Sequence, residues 1–340
     1  MSGPLPPLPP FGFRSVWQVL SAVPSGPWTV VTLIGELGAL AWYWRRVQVL
    51  AARGRRWPVR RSVAFVGGIA MTALAWQTGI VTYAGQIFTV HIFQHLALML
   101  AAPILFALSA PVTLVMQTST RPTKVRLLRI LRSRPVHMAT NPLFTGLMNY
   151  GIMFWFFMDR GIVVSMAHPA LMDTVNTAFL FFGCLLWWPV VSVDFVGRRP
   201  YAPPIRALIG IAGMPFDSVL AVSLITGGTT VSIAPGMYSA ANVATGAEVF
   251  WIMAMVLTGL GVAVPSRRFI TREQLRNDRE DERVTAASAA GAAAATVRSV
   301  SSRGWWDAET TLDADGLLQV PWAREVSAPE VPAAPATWQP

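Results

Sequence analysis

Apolar residues in this chain run in long unbroken blocks, and polar residues collect in the gaps between them. A helix needs about 20 largely apolar residues to cross the hydrocarbon of a bilayer. Seven blocks meet that length, at roughly 27–45, 62–83, 87–116, 143–165, 174–194, 205–226 and 244–264. A backbone in lipid must satisfy its own hydrogen bonds, so blocks of this kind predict helices. The third block is the longest and holds Pro103 and Pro111, each of which removes a helical hydrogen bond; it is expected to tilt or break there. The pattern predicts an all-α fold, a polytopic membrane helical bundle of seven transmembrane helices. Residues 14–23 fit a short interfacial helix with Val16, Trp17, Leu20 and Val23 on its apolar side.

Composition agrees. Hydrophobic residues make up 53% and charged residues 13%, against about 25% charged in soluble domains. An ordinary soluble enzyme is excluded. The net charge of +10 is carried almost wholly by arginine, with Lys124 the single lysine. With abundant Ala, Gly and Pro, this bias suggests a high-GC bacterial genome. The arginines lie between apolar blocks and form no soluble basic face, so no nucleic-acid partner is expected. Their placement sets orientation. Arg45, Arg46, Arg53, Arg55, Arg56, Arg60 and Arg61 follow the first block; Arg121, Lys124, Arg126, Arg129, Arg132 and Arg134 follow the third. Arg198, Arg199 and Arg206 follow the fifth, and Arg267, Arg268 and Arg272 the seventh, while the alternate gaps hold little beyond Arg14 and Arg160. This predicts the N-terminus outside and the C-terminus in the cytoplasm. Residues 1–26 are then an extracytoplasmic segment without a signal-peptide pattern, 27–264 the membrane domain and 265–340 a cytoplasmic tail. From about 285 the tail is Ala-, Ser- and Pro-rich and is expected to be mostly disordered. Residues 122–134 read equally as an amphipathic helix on anionic membrane lipid or as a plain basic loop.

Polar groups inside such blocks are costly and mark function. His91 and His95, at the outer end of the third block, stand at i, i+4 and share a helix face; Met99 continues the stripe. Imidazole with thioether suits a soft cation, Cu(I). Met158, His168 and Met172 gather on the same side, with Glu248 about one turn into the seventh block. Gln94 lies between the histidines. Glu36 and Asp217 sit deeper, with no cation at their depth, and read either as protonated hydrogen-bonding groups or as the lining of a polar cavity. Cys184 alone makes no disulfide and no CxxxC copper site. HExxH, GxSxG and a phosphate-binding glycine loop are absent from the sequence, so no catalytic residues are expected. His137 and His168 fall in loops on opposite sides, which leaves no pair for a membrane haem.

The segment HIFQHLALMLAAPILFALSAPVTL (91–114) resembles the H-x-x-Q-H…M-x-x-AP…GAP signature of the CtaG-type cytochrome c oxidase assembly factors. FLFFGCLLWWPVVSVDF (179–195) resembles their F-L-x-x-G-x-L-F-W-W-P segment, and Gly213-Met214-Pro215-Phe216 and Gly246…Trp251 resemble two weaker landmarks. The likeness runs over roughly 25–285. It departs from the family where W-H-L-P falls on Phe156-Phe157-Met158-Asp159 and H-x-x-x-H on Met172 and Asn176. A His of some members falls on Asp217, and D-Q-Q on Asn242-Val243-Ala244. The resemblance implies a bacterial cytoplasmic-membrane protein that helps copper reach haem–copper cytochrome c oxidase subunits. From the residues alone two other readings stay open: a structural or docking protein of a respiratory complex, and a small cation permease using Glu36 and Asp217.

Overall fold

A computed structural model describes residues 13–22, 24, 26–191, 194, 201–227, 237–301, 311–312 and 318–319. The chain divides into two units, Met1–Ile270 and Thr271–Pro340. The first is helical: α1 Phe13–Ser21, α2 Pro27–Ala52, α3 Val59–Gln77, α4 Ile80–Tyr83 and α5 Phe88–Leu96. A π-helical turn, Ala97–Ala101, joins α5 to α6 Ala102–Ser109, and α7 is Pro111–Thr118. Then come α8 Arg121–Leu131, α9 Arg134–Ala139, α10 Pro142–Met158, α11 Gly161–Ala167, α12 Pro169–Val191, α13 Pro203–Ile211 and α14 Met214–Ile225. The last helix, α15 Ala240–Ser301, begins in the first unit and continues into the second.

Among the described residues, four helical runs are long and apolar enough to cross a membrane: Phe88–Thr118, Pro169–Val191, Pro204–Ile225 and Ala240–Ala263. The other three expected blocks are helical but interrupted or mixed in character. The block at 143–165 breaks at Asp159-Arg160, leaving α10 with 17 residues. The block at 62–83 breaks after Gln77, and α2 runs on past Arg45 and Arg46 to Ala52. The short helix expected at 14–23 forms as α1, with Val16, Trp17 and Leu20 exposed, while Val23 lies outside the described residues.

The prolines punctuate the third block as their chemistry requires. Pro103 cannot donate to the ladder, and the helix widens into its π turn just before it. At Pro111 the chain turns a corner through Ala110, whose φ of 53° is left-handed and, for a residue with a Cβ, strained. Asp194 steadies that corner. Its carboxylate accepts from Val112 N (2.8 Å), from Thr113 N (2.5 Å) and from the Thr113 hydroxyl, filling the open N-terminus of α7. At the far end of α7, Arg53 donates to the carbonyls of Gln117 (2.9 Å) and Thr118 (2.8 Å).

The largest core lies where α5, the π turn, α6, α10, α12, α14 and α15 meet, around Ile92, Leu96, Phe156, Phe179, Leu220 and Phe250. A smaller one, Tyr43, Leu50, Phe65, Ile69 and Leu114, ties α2, α3 and α7. Two glycines set the closest approaches. A Cβ at Gly183 on α12 would stand 2.5 Å from the Met99 carbonyl oxygen, and one at Gly246 on α15 the same distance from Phe88 Cδ1. Neither approach allows any larger residue without movement.

In the second unit the helix runs to Ser301, past residue 285 where the sequence suggests structure is lost. Residues 277–291 are exposed throughout. The alanines that make this stretch look featureless are also the strongest helix formers. A two-residue antiparallel pair, Thr311–Leu312 with Leu318–Gln319, is the described remainder.

Candidate functional site

The predicted histidine pair meets inside the first core. His91 and His95 are 1% and 2% exposed, and their Nε2 atoms lie 2.7 Å apart, a hydrogen bond between two rings. The i, i+4 spacing brings them onto one face, and aromatic rings enclose them. Phe156, Phe179 and Phe157 stand edge-to-face with His95 at centroid distances of 4.8, 4.9 and 5.4 Å, and Phe156 stacks on His91 at 5.6 Å. The sequence places the pair at the outer end of its block, and the fold buries both side chains within the bundle.

Neighbouring elements hold the pair in place. Asn242 Oδ1, from the first turn of α15, accepts the Phe88 backbone N–H at 2.5 Å. That N–H opens α5, whose own N-cap residue, Ile87, supplies no side-chain acceptor. Gln94 is buried and donates from Nε2 to the Ala75 carbonyl (3.0 Å), tying α5 to α3. Tyr238 donates its hydroxyl to the Ala84 carbonyl at 2.6 Å, and the same oxygen lies 3.2 Å from His91 Nδ1. Burial pushes the Tyr238 phenol up from its ordinary value, so the group keeps the proton it donates. His91 Nδ1 also lies 3.3 Å from the Ala84 carbonyl oxygen. Tyr238 and Ala84 were not legible as site residues, since an isolated Tyr and a backbone carbonyl carry no sequence signal.

The remaining candidates divide. Met99 is buried in the same core, in the π turn one stripe position below His95, and Met158 and Met172 pack against that core, partly buried. His168 does not join them: it is exposed, with Nδ1 3.0 Å from the Val164 carbonyl oxygen of its own helix. Glu248 is also exposed. Asp217 and Glu36 are buried on other helices, each with one carboxyl oxygen lacking a partner, and Asn149 has none for either amide atom. Among the described residues no three His, Cys, Asp or Glu side chains cluster as a metal site. The donor set that does converge is two imidazoles with thioether nearby, and one buried imidazole nitrogen, His95 Nδ1, has no partner. Those donors fit a soft cation of low coordination number.

Comparison with known proteins agrees on the family. A family model described as cytochrome c oxidase caa3 assembly factor (Caa3_CtaG) matches residues 41–272. An uncharacterized protein of Mycobacterium bovis is 28% identical over 218 residues, covering 60% of this chain and 32% of the relative. One of Mycobacterium leprae is 28% identical over 243 residues, covering 68% of this chain and 34% of the relative. The chain thus spans about a third of the length of the curated relatives it matches. No solved structure matches the chain.

Proposed function

The chain belongs to the cytochrome c oxidase caa3 assembly factor family, and from that premise we propose that it escorts Cu(I) toward a haem–copper oxidase. In this reading copper is cargo, the protein makes and breaks no covalent bonds, and oxidase subunits are its partners. It sits in the bacterial cytoplasmic membrane as a seven-pass protein, N-terminus outside. The observation that carries the reading is the buried His91–His95 pair at 2.7 Å with a bare imidazole nitrogen on His95. A buried polar atom without a partner costs free energy, and a neutral imidazole lone pair is a good ligand for a cuprous ion. Met99, Met158 and Met172 add thioether around the same core. The arginine-rich gaps after the first and third apolar blocks support the orientation.

The test is twofold. Purified protein competing against a chromogenic Cu(I) chelator should retain one ion, and the His91→Ala/His95→Ala double variant none. Deletion of the gene should lower oxidase activity in a way that added copper restores. Loss of activity that copper does not restore supports a docking role, and altered cellular metal with normal oxidase a permease. For the orientation, cysteine introduced at Arg55 in a Cys184→Ala background should resist membrane-impermeant thiol reagents in intact cells. Labelling there would reverse the proposed topology.

A further inference from the structure

The hydrogen bonds around the histidine pair specify which nitrogen carries which proton. Tyr238 gives its only proton to the Ala84 carbonyl, at 2.6 Å. His91 Nδ1 therefore faces two acceptors, the Ala84 oxygen at 3.3 Å and a lone pair of the Tyr238 oxygen at 3.2 Å. It must donate. Among the described residues no acid acts on the rings in the aromatic enclosure, and a buried unpaired charge is costly, so both imidazoles are neutral. A neutral His91 protonated at Nδ1 presents a bare Nε2. The bond of 2.7 Å to His95 then runs one way: His95 Nε2–H donates and His91 Nε2 accepts. His95 has spent its proton at Nε2, so its Nδ1 is a lone pair. That is the buried nitrogen without a partner.

A second bare acceptor lies on α12. Phe179 meets His95 and Gly183 abuts Met99, so α12 advances in step with α5 and the π turn. Asn176 shares that face one turn before Phe179, which puts it level with Ile92. Histidine rings on a helix lean back toward its N-terminus, so the ring of His95 reaches the same level. Asn176 is buried, and its Oδ1 also lacks a partner. Two acceptors at one depth without a donor suit a cation.

The spacing of the Nε2 atoms argues against an ion held between them. At about 2.0 Å from each nitrogen and a tetrahedral angle, an ion needs them about 3.3 Å apart. They are 2.7 Å apart with a proton between them. An ion there would have to break that bond and move the His95 proton to Nδ1, where no acceptor waits.

We propose that Cu(I) is captured on His95 Nδ1, with Asn176 Oδ1 a weaker second contact, and that His91 is a positioning residue holding His95 in the tautomer that leaves Nδ1 bare. This rests on the copper-escort reading and assigns unequal roles to two histidines that their spacing makes look equivalent.

Long-range proton–nitrogen spectra of full-length protein labelled with 15N-histidine read the tautomers directly. Metal-free protein should show Nδ1–H for His91 and Nε2–H for His95. Titration with Cu(I) should shift His95 Nδ1 while its Nε2 proton stays. His91→Gln retains an oxygen acceptor for that proton and should bind Cu(I) close to wild type, whereas His91→Ala should lose about tenfold, as removal of an outer partner does. His95→Gln should lose stoichiometric binding, and Asn176→Ala should cost less than that. Equal losses in His91→Gln and His95→Gln, or release of the His95 Nε2 proton on binding, would overturn the assignment while leaving the escort reading intact. If wild-type protein binds no Cu(I), the escort reading fails and the capture site with it. Opposite tautomers in the metal-free spectrum overturn the assignment whatever the copper result.

Discussion

Replacing Gly183 with Ala tests how tightly α12 is seated on the π turn. The added Cβ would stand 2.5 Å from the Met99 carbonyl oxygen and 2.8 Å from Pro103 Cγ. Ordinary contact begins at 3.4 Å, so α12 must withdraw by about 0.9 Å at this point. Neither obstacle is the free end of a flexible side chain: one is backbone and the other a ring. Overpacking of this kind costs about 1–3 kcal/mol. For a domain of this size each kcal/mol lowers the midpoint by about 2–4 °C, which gives a fall of about 2–12 °C, toward the lower end where the packing relaxes. The assay is built into the chain, because Cys184, its single cysteine, is only partly exposed in the folded helix. A thiol-reactive fluorophore added during a thermal ramp in detergent reports its release. Gly151 on α10 provides the control, since a Cβ there meets nothing within 4 Å. Ala at that position should hold or raise the midpoint, gaining up to about 1 kcal/mol of helix propensity. An unchanged midpoint in Gly183→Ala would refute the close seating, and with it the register that brings Asn176 level with Ile92.

Three further outcomes rest on the same geometry. Asn242→Ala removes the acceptor for the Phe88 N–H and should cost about 1–2 kcal/mol, read as a lower midpoint in the same ramp, with Asn242→Asp largely retaining it. Asp194→Ala empties the N-terminus of α7, leaving two backbone donors and the Thr113 hydroxyl without their acceptor; a loss of about 2 kcal/mol or more is expected. Truncation after residue 290 removes the end of α15, which is exposed over its last described stretch, 277–291, and the chain beyond it; the midpoint of the membrane unit should stay unchanged.

The sequence spoke most clearly where a single residue type carries a local rule. Pro103 and Pro111 mark the distortion and the corner in the third block because proline lacks an N–H wherever it stands. The i, i+4 spacing of His91 and His95 suffices to bring them together, since helix geometry is the same in any context. The roles of those rings were not legible. They depend on a proton that Tyr238 spends on Ala84, a contact spanning 154 residues between groups with no motif of their own. Burial was hidden for a related reason. The outer end of a span looks accessible along the sequence, but Phe156, Phe157 and Phe179 arrive from other helices and close over it. His168 counts the other way: as a residue type it suited the metal site, and its own helix claims its ring nitrogen.

A π turn is an α-helix carrying one residue more than its ladder needs, and Ala97–Ala101 holds that surplus between the histidine pair and the corner at Ala110. Each α-helical residue turns the chain by about 100° and lifts it by about 1.5 Å. The bulge absorbs the surplus residue as a local widening, so the helix on either side keeps its facing. Losing one codon here would encode a plain α-helix of nearly the same direction, and the change would stay local, with Met99 or its replacement facing a different neighbour. Gaining one is the harsher change: with His91 and His95 fixed in their enclosure, a further residue would swing everything beyond it by about a quarter turn or more. Ala110 would leave its corner, and Thr113 would turn away from Asp194.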